Sequence, residues 1–150
     1  GKDSHTFMHY DIDLANIFHF HFDGKKQCIL FDQKQNKHLY KIPYSLITRE
    51  DIDFSNPDVK KWPALKKATG YITNLEHGNV LYMPEGYWHY MKYITPGFSL
   101  SLRAIARNPK NLRKAIYNLF IMRSIDVIMR KLRGQKWIDW KNNYAIKKTH

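Results

Sequence analysis

The sequence is poor in cysteine and in acidic residues, and it has no long apolar run. Its 150 residues include a single cysteine, Cys28, so no disulfide can form within the chain, as is typical of a reducing compartment. Cys28 stands in an apolar stretch and is predicted to be a small buried residue. No stretch approaches the roughly 20 apolar residues of a membrane-spanning helix. We therefore predict a cytoplasmic protein without a membrane segment.

The shortage of acidic residues leaves a strongly basic chain. Asp and Glu number 13 against 25 Lys and Arg, which gives a formal net charge of +12. Such an excess attracts polyanions whatever their sequence, although a solvated basic surface explains it equally well. Hydrophobic residues make up 43% and aromatic residues 15% of the chain. This composition is that of a folded globular domain and excludes a disordered tail.

Two regions differ in the period of their apolar residues. Up to about residue 106 the pattern is one of short strands and turns, with strands predicted at 17–22, 26–31, 78–84, 87–91 and 98–105. Several short strands at this spacing favour a barrel or a jelly roll. A helical pattern then begins, with Asn108 as N-cap and Pro109 as first residue, and Gly134 is expected to end the first helix. We divide the chain into a β core, 1–106, and a basic helical extension, 107–150.

A period of two residues is clearest before the Asp23-Gly24 pair. Three phenylalanines between residues 17 and 22 alternate with Ile17, His19 and His21. Asp-Gly favours a two-residue hairpin turn, and the returning strand would then place Lys26 opposite His21 and Cys28 opposite His19. We therefore predict one sheet face that carries a lysine and two histidines, and an aromatic face on the other side.

Three side chains have the chemistry of a metal site. His9 and Asp11 are two residues apart, and in a strand such side chains point to the same face. His89 follows a tight turn after an apolar strand, in Gly86-Tyr87-Trp88-His89. Two histidines and one carboxylate with open positions opposite them are typical of non-haem Fe(II) oxygenases. A His-x-Asp pair alone is common by chance, but His89 and a lysine on the interior face strengthen the hypothesis.

Further segments occur in the same order as in a known family. They are His9-Tyr10-Asp11, Gly24-Lys25-Lys26, Ile29-Leu30-Phe31, Leu39-Tyr40, Asp53 to Asp58, Trp62-Pro63, Gly78 to Pro84 and Trp88-His89. With them, the run from Thr6 to Ser101 resembles the Jumonji-C and cupin-like hydroxylases. That family includes asparaginyl hydroxylases of the factor-inhibiting-HIF type, related lysyl hydroxylases and a tRNA wybutosine hydroxylase.

The resemblance implies a mainly β, cupin-type double-stranded β-helix, or jelly roll, followed by C-terminal α-helices. It implies that His9, Asp11 and His89 are both the catalytic residues and the iron ligands. It also implies that Lys26 pairs with the far carboxylate of 2-oxoglutarate, supported by Thr6. The expected cofactor is Fe(II), with 2-oxoglutarate as cosubstrate and O₂.

Other positions match the family less closely. Ser101 stands where the family often has Thr. Asn16, His19 and His21 stand near the start of the hairpin, where some members place an asparagine that contacts the cosubstrate, so we expect Ser101 and His19 to line the cosubstrate pocket. Arg103 stands where asparaginyl hydroxylases carry Asn. The family's strands before Thr6 are absent, so the core, 1–106, is expected to be an N-terminally incomplete catalytic core.

The expected function is hydroxylation of a protein side chain. The alternatives are an oxygenase that modifies tRNA or a small molecule, and a cupin-fold binding protein without catalysis. The partner is therefore a protein or peptide substrate, or a nucleic acid held by the basic C-terminal helices. Those helices carry an apolar stripe, formed by Leu112, Ile116, Leu119, Phe120, Ile128, Met129 and Leu132. The stripe most simply packs on the β core; in related hydroxylases C-terminal helices form a homodimer interface, which is the alternative.

Overall fold

Two three-stranded antiparallel sheets form the first part of the molecule. The computed structural model describes residues 2–149. The first residue of the predicted β core, Gly1, and the last residue of the predicted helical extension, His150, lie outside the described residues. The strands are β1 (Asn16–His21), β2 (Lys26–Phe31), β3 (Tyr71–Leu75), β4 (Val80–Met83), β5 (Trp88–Tyr93) and β6 (Ser99–Ala104). Their order is β4-β1-β6 in one sheet and β3-β2-β5 in the other. A mainly β core was predicted, and the two sheets confirm it.

Helices follow the sheets, as predicted. Short 3₁₀ helices occupy Gln33–Lys37 and Pro63–Lys67, a π-helical turn occupies Tyr117–Met122, and the α-helices are α1 (Pro109–Ile116), α2 (Arg123–Arg133) and α3 (Gln135–Lys148). The Asn108 side chain caps α1 by accepting a hydrogen bond from Lys110 N at 2.9 Å. Gly134, with a φ of 50°, ends α2. Both helix signals are confirmed, whereas the division at residue 106 stays a prediction.

The predicted hairpin at Asp23-Gly24 is wrong. β1 pairs with β4 and β6, whereas β2 pairs with β3 and β5, so the chain crosses from one sheet to the other at this turn. Lys26 therefore lies opposite Leu75 and Tyr93 instead of His21. The reason is visible at Gly24: its φ is 79°, and a Cβ there would lie 2.3 Å from Pro96 O. The turn packs on the loop before β6, which directs β2 away from β1.

The two faces predicted for β1 do exist, and the polar one is inside. His19 and His21 are buried between the sheets, while Phe18 is 45% exposed on the outer face. On the facing sheet, Lys26 and His89 share the inner face. Lys26 and Leu30 are four residues apart on β2 and point to the same side, and Leu30 pairs directly with His89 of β5. The interior of the molecule therefore contains a polar, histidine-rich layer.

The N-terminal segment runs antiparallel along β5. Thr6 N donates to Met91 O at 2.9 Å, and His9 and His89 exchange two backbone hydrogen bonds of 3.1 and 2.7 Å. His9 forms an isolated bridge here, and Asp11 follows in irregular backbone, so the two residues do not share a regular strand as we expected. Pairing with β5 nevertheless fixes His9 beside His89.

Apolar residues pack in two layers. One lies between the sheets and contains Ile17, Cys28 and Met91. The other lies on the outer side of β2 and β5, where Tyr10 and Trp88 are covered by the irregular chain between residues 39 and 65. Cys28 is fully buried, and burial raises the pKa of its thiol to about 11, so its prediction as a small buried residue is confirmed.

The prediction that the apolar stripe of the C-terminal helices packs on the β core is wrong. Phe120 is 70% exposed and Leu132 is 74% exposed. The buried side of this part of the helices instead carries Ala115, Asn118 and Met122. Within residues 2–149, no helix has the length and apolar character that crossing a membrane requires.

Candidate metal and cosubstrate site

The three predicted metal ligands come together in the structure. One ligand atom from each of His9, Asp11 and His89 lies within 4.8 Å of the other two. His89 belongs to β5 and is 6% exposed, whereas His9 and Asp11 come from the neighbouring N-terminal segment. The backbone pairing of His9 with His89 brings the two rings to a centroid distance of 4.1 Å.

Backbone carbonyls fix the orientation of both histidine rings. His9 Nδ1 lies 2.8 Å from Phe7 O, and His89 Nδ1 lies 3.2 Å from Tyr87 O. A carbonyl oxygen only accepts, so Nδ1 carries the proton in each ring and Nε2 keeps its lone pair. A carbonyl partner on the other ring nitrogen is the arrangement that holds metal-binding histidines in proteins. Burial, and next the charge of His9, lower the pKa of His89 and favour the neutral, metal-binding imidazole.

The Asp11 carboxylate also has a free lone pair. Its Oδ2 atom is buried and accepts no hydrogen bond from residues 2–149. Arg103 Nη2 lies 3.2 Å away, an ion-pair contact without hydrogen-bond geometry. The charge of Arg103 partly stabilises this buried oxygen, which still has lone pairs available to a ligand. Together with two Nε2 lone pairs, this oxygen fits a divalent metal ion of the kind that two histidines and one carboxylate bind.

Lys26 is the centre of a second polar cluster between the sheets. Its side chain is 3% exposed, and Nζ donates to His19 Nε2 at 2.9 Å and to Ser99 Oγ at 2.5 Å. His19 Nδ1 lies 2.8 Å from Ser101 Oγ. Burial, and then the charge of Lys26, lower the pKa of His19 to about 4. His19 is therefore neutral and accepts from the ammonium group.

His21 completes the cluster on the side of Ser99. Its Nε2 donates to Gly24 O at 2.8 Å, so its Nδ1 accepts from Ser99 Oγ at 2.9 Å. Ser99 Oγ thus accepts from Lys26 and donates to His21. These hydrogen bonds direct two of the three ammonium protons of Lys26 and so orient its side chain.

The ammonium group of Lys26 lies 5.3 Å from the centroid of the Tyr93 ring but has no anionic partner among the described residues. No Asp or Glu in the described chain forms an ion pair with it, and burial lowers its pKa. An ammonium group has three donors, and only two of them are used by His19 and Ser99. The third donor and the buried charge fit the carboxylate of a bound ligand.

The other predicted site residues differ in position. Ser101 contacts His19 and so belongs to the cluster around Lys26. The Thr6 hydroxyl instead accepts from Met91 N at 3.0 Å, and within residues 2–149 no hydrogen bond joins Thr6 to Lys26. Asn16 lies apart from the cluster and binds Glu85 and Tyr82.

Sequence reasoning missed the role of Arg103. Its Nη2 atom donates to Asp13 Oδ1 at 2.7 Å and lies beside Asp11. Ser99, Ser101 and Arg103 follow one another at a spacing of two on β6, opposite His21, His19 and Ile17. That alternation could have indicated that Arg103 faces the site.

An open cleft of about 690 Å³ joins the metal-ligand group to the C-terminal helices. His9, Asp11 and Arg103 form one wall, and Asp126 and Arg130 of α2 contribute to the other. Its volume falls within the range of small-molecule and side-chain pockets. The metal-ligand group is therefore open to a ligand from the side of the helices.

The chain was compared with models of known protein families. The model of the family described as "Cupin-like domain" matches residues 1–107. The matched region contains both polar clusters.

Individual relatives also resemble part of the chain. HSPB1-associated protein 1 of Bos taurus is 35% identical over 98 residues, and JmjC domain-containing protein D of Dictyostelium discoideum is 32% identical over 101 residues. The human tRNA wybutosine-synthesizing protein 5 is 33% identical over 81 residues. The matches cover 62%, 66% and 54% of this chain but only 20%, 22% and 24% of the relatives. The chain thus spans about a fifth of the length of these relatives.

Proposed function

This chain belongs to the cupin-like domain family, and from that membership we propose that it is an oxygenase that uses Fe(II), 2-oxoglutarate and O₂ to hydroxylate a protein side chain. Membership and the two antiparallel sheets confirm the predicted fold class and family resemblance. The activity, the cofactors and the substrate are the proposal.

The observation that carries the proposal is a His-Asp-His group and, on one inner sheet face, a buried ammonium without an anionic partner among the described residues. His89 on β5 and Lys26 on β2 both face the space between the sheets. His19 of the other sheet accepts a hydrogen bond from Lys26 at 2.9 Å. Burial, and then the charges of Lys26, His21 and His89, lower the pKa of His19, so His19 is near both Lys26 and His89. An oxo diacid that chelates a metal with one end needs a cation for its other end, and this face offers both.

Each residue then has a defined role. His9 and His89 would hold Fe(II) through Nε2, and Asp11 through its carboxylate. Lys26 would anchor the far carboxylate of 2-oxoglutarate, while His19 keeps the ammonium oriented. The apolar layer with Cys28 and Met91 excludes water from the space between. When bound, Fe(II) with 2-oxoglutarate supplies the oxidation that inserts one oxygen atom of O₂ into a substrate C–H bond and leaves succinate and CO₂.

The remaining site residues support the cosubstrate in different ways. Ser101 would act through His19, whose Nδ1 lies 2.8 Å from its hydroxyl. For Thr6 the support is the family resemblance alone, since its oxygen accepts from Met91 N. Both belong to the proposed cosubstrate site.

A protein substrate fits the open cleft beside the metal-ligand group. The name of HSPB1-associated protein 1 also connects a relative with a protein partner. A second substrate class is tRNA, because one relative is named for wybutosine synthesis in tRNA and because α2 ends with three basic residues, Arg130, Lys131 and Arg133.

A cytoplasmic location and a homodimer formed by the C-terminal helices are part of the same proposal.

Anaerobic titration with Fe(II) tests the metal and cosubstrate together. Addition of 2-oxoglutarate to the Fe(II)-loaded protein should produce a visible metal-to-ligand charge-transfer band. The His9→Ala variant should lose this band, whereas the His77→Ala variant, which removes an exposed histidine, should keep it. Absence of the band in folded wild-type protein would favour the binding-protein alternative.

Product analysis then separates the two substrate classes. Succinate release that depends on an added peptide, with a mass gain of one oxygen on that peptide, supports the protein hydroxylase. The same mass gain on tRNA, and none on peptide, supports the tRNA alternative.

A further inference from the structure

A second cleft, of about 550 Å³, lies where Tyr10 meets the C-terminal helices. Its walls include the lysines Lys41 and Lys114 and several aromatic rings, among them Trp140 and Tyr144 of α3. Among its described lining residues there is no Asp or Glu. The cleft thus combines positive charge with flat aromatic surface and lacks the acidic residues that would neutralise it.

The two lysines approach the same ring. Lys41 Nζ lies 5.2 Å and Lys114 Nζ 4.8 Å from the centroid of Tyr10. Lys114 donates to the neutral Gln33 Oε1 at 2.6 Å, and neither lysine has an ion-pair partner in the part of the chain that the structure describes. The two cations repel each other, and an anion bound beside them would reduce that repulsion.

The pKa shifts of the two lysines agree with this geometry. Burial, and then the charge of Lys114, lower the pKa of Lys41 to about 8. Burial also lowers the pKa of Lys114. Both shifts have the direction expected of buried cations without an anionic partner.

The hydroxyl of Tyr10 gives an independent indication of a ligand. Tyr10 is 1% exposed, and its hydroxyl has no hydrogen-bond partner within residues 2–149. The Asn118 amide lies close to this hydroxyl and donates one of its two protons to Ile12 O at 3.3 Å, which leaves the second proton free for the hydroxyl oxygen. The proton of the Tyr10 hydroxyl itself has no acceptor among the described residues. A buried donor without an acceptor is rare in proteins, and a ligand oxygen would accept this proton.

The aromatic wall extends the cleft along α3. Trp140 stacks on Trp137 at 4.8 Å and contacts Tyr144 at 5.4 Å between ring centroids. Trp140 and Tyr144 also line an adjoining cleft together with Lys147 and Lys148. Lysines therefore flank one continuous aromatic surface on both sides. Alternation of cations and exposed rings is the pattern by which proteins hold phosphates and stack bases.

We propose that this cleft binds a nucleotide unit, with its phosphate at Lys41 and Lys114 and its base against Trp140 and Tyr144. The aromatic wall favours a nucleotide over an acidic peptide, which would use the lysines alone. A free nucleotide and a nucleic-acid strand share this chemistry. The proposal does not rest on the oxygenase function, since this binding requires neither metal nor cosubstrate.

Calorimetric titration of the intact, metal-free protein tests the proposal. The ligands are adenosine 5′-monophosphate, inorganic phosphate and a short single-stranded RNA. Replacing both lysines, Lys41→Gln with Lys114→Gln, should weaken mononucleotide binding about tenfold or more, because charge-assisted hydrogen bonds are lost. Trp140→Leu should weaken nucleotide binding about tenfold and leave phosphate binding unchanged.

The matched control is Lys66→Gln, which removes one exposed lysine outside the cleft and should leave all affinities unchanged. RNA that binds much more tightly than the mononucleotide identifies a strand as the ligand, and equal affinities identify a free nucleotide. The proposal is overturned if the double variant binds like wild type or if Lys66→Gln loses as much affinity. It is also overturned if a glutamate-rich peptide binds this cleft and the mononucleotide does not.

Discussion

Arg103 Nη2 lies 3.2 Å from Oδ2 of Asp11, and the same nitrogen donates to Asp13 Oδ1 at 2.7 Å. The guanidinium group therefore holds the proposed metal ligand in place through its charge, while its hydrogen bond goes to the neighbouring carboxylate. Burial alone would lower the pKa of Arg103, but the charges of Asp11 and Asp13 raise it. Arg103 is thus a positioning residue for Asp11.

Replacing Arg103 should weaken metal binding. In Arg103→Gln the Asp11 carboxylate loses its fixed partner, and loss of such a partner costs about 10- to 100-fold in metal affinity. Removing a positive charge near the site would by itself strengthen metal binding. This effect should be small, because Asp13 already neutralises much of the charge of Arg103. Anaerobic calorimetry with Mn(II) or Fe(II) measures the affinity. The control is Arg123→Gln, on the other wall of the same cleft, and equal losses in both variants would contradict a specific role for Arg103.

Replacing Lys26 should weaken 2-oxoglutarate binding. Lys26→Met keeps an unbranched side chain but removes the buried charge, and a hydrogen bond to a charged group contributes about 1.5–3 kcal/mol. We therefore expect a 2-oxoglutarate affinity lower by about 10- to 100-fold, with Fe(II) affinity unchanged. Lys25→Met is the matched control, since Lys25 points outward and pairs with Glu76. Unchanged 2-oxoglutarate affinity in folded Lys26→Met protein would show that the cosubstrate binds elsewhere.

Stability should fall between pH 6.5 and pH 4 because of His19. Burial, and then Lys26, lower its pKa from 6.5 to about 4 in the folded state, so in this range the unfolded chain binds a proton that the folded protein does not. The free energy of unfolding contributed by His19 is fully present above pH 6.5 and decreases toward pH 4, by up to about 1.4 kcal/mol per pH unit. Urea unfolding of metal-free protein at several pH values measures the slope.

The slope should be reduced in His19→Gln, whose amide cannot titrate but can still accept from Lys26. His77→Gln removes an exposed histidine and should keep the wild-type slope. An unchanged slope in His19→Gln would mean that other groups cause the acid sensitivity.

Local patterns predicted which side chains face inward, but not which strands pair. Alternation along β1 placed His19 and His21 on one face correctly, because a period of two depends only on the extended backbone. The Asp23-Gly24 pair favours a hairpin locally, yet contacts of Gly24 with Pro96 decide the direction of β2. Such a contact joins residues far apart in sequence, so a local sequence pattern cannot predict it.

The C-terminal helices show the same limit. The helical spacing of their apolar residues predicted an apolar side but not the surface on which that side packs. The helices instead face the core with Ala115 and Asn118. The strand β3 was not predicted, since Tyr71 and Ile72 are both exposed and give no alternation. The meeting of His9, Asp11 and His89 followed from the motifs; their role as iron ligands stays a proposal.

The exposed apolar stripe of the C-terminal helices leads to a prediction on assembly. Phe120 is 70% and Leu132 74% exposed, and large exposed apolar patches mark interaction sites. If the helices form a homodimer, Phe120→Asp with Leu132→Asp should convert the dimer to a monomer in sedimentation equilibrium. Ile105→Asp is the control, because Ile105 is 77% exposed but lies before the helices. A monomeric wild-type protein, or a double variant that remains dimeric, would exclude this interface.

The packing of α3 on α2 depends on the contact between Asp126 and Lys141. Asp126 Oδ1 accepts from Lys141 Nζ at 2.6 Å and from Trp137 Nε1 at 2.8 Å, and the lysine side chain is 4% exposed. Asp126→Ala should lower the free energy of unfolding by about 3 kcal/mol, because a buried ammonium is left without a partner. Urea unfolding followed by tryptophan fluorescence measures it, with Asp139→Ala, on the exposed side of α3, as control.

A second variant separates the lost charge from lost packing. Adding Lys141→Met to Asp126→Ala removes the unpaired ammonium and fills its space with an apolar side chain, so the double variant should recover much of the lost stability. If the double variant is as unstable as Asp126→Ala, the hydrogen bond from Trp137 to Asp126, and not the buried charge, is what holds α3 to α2.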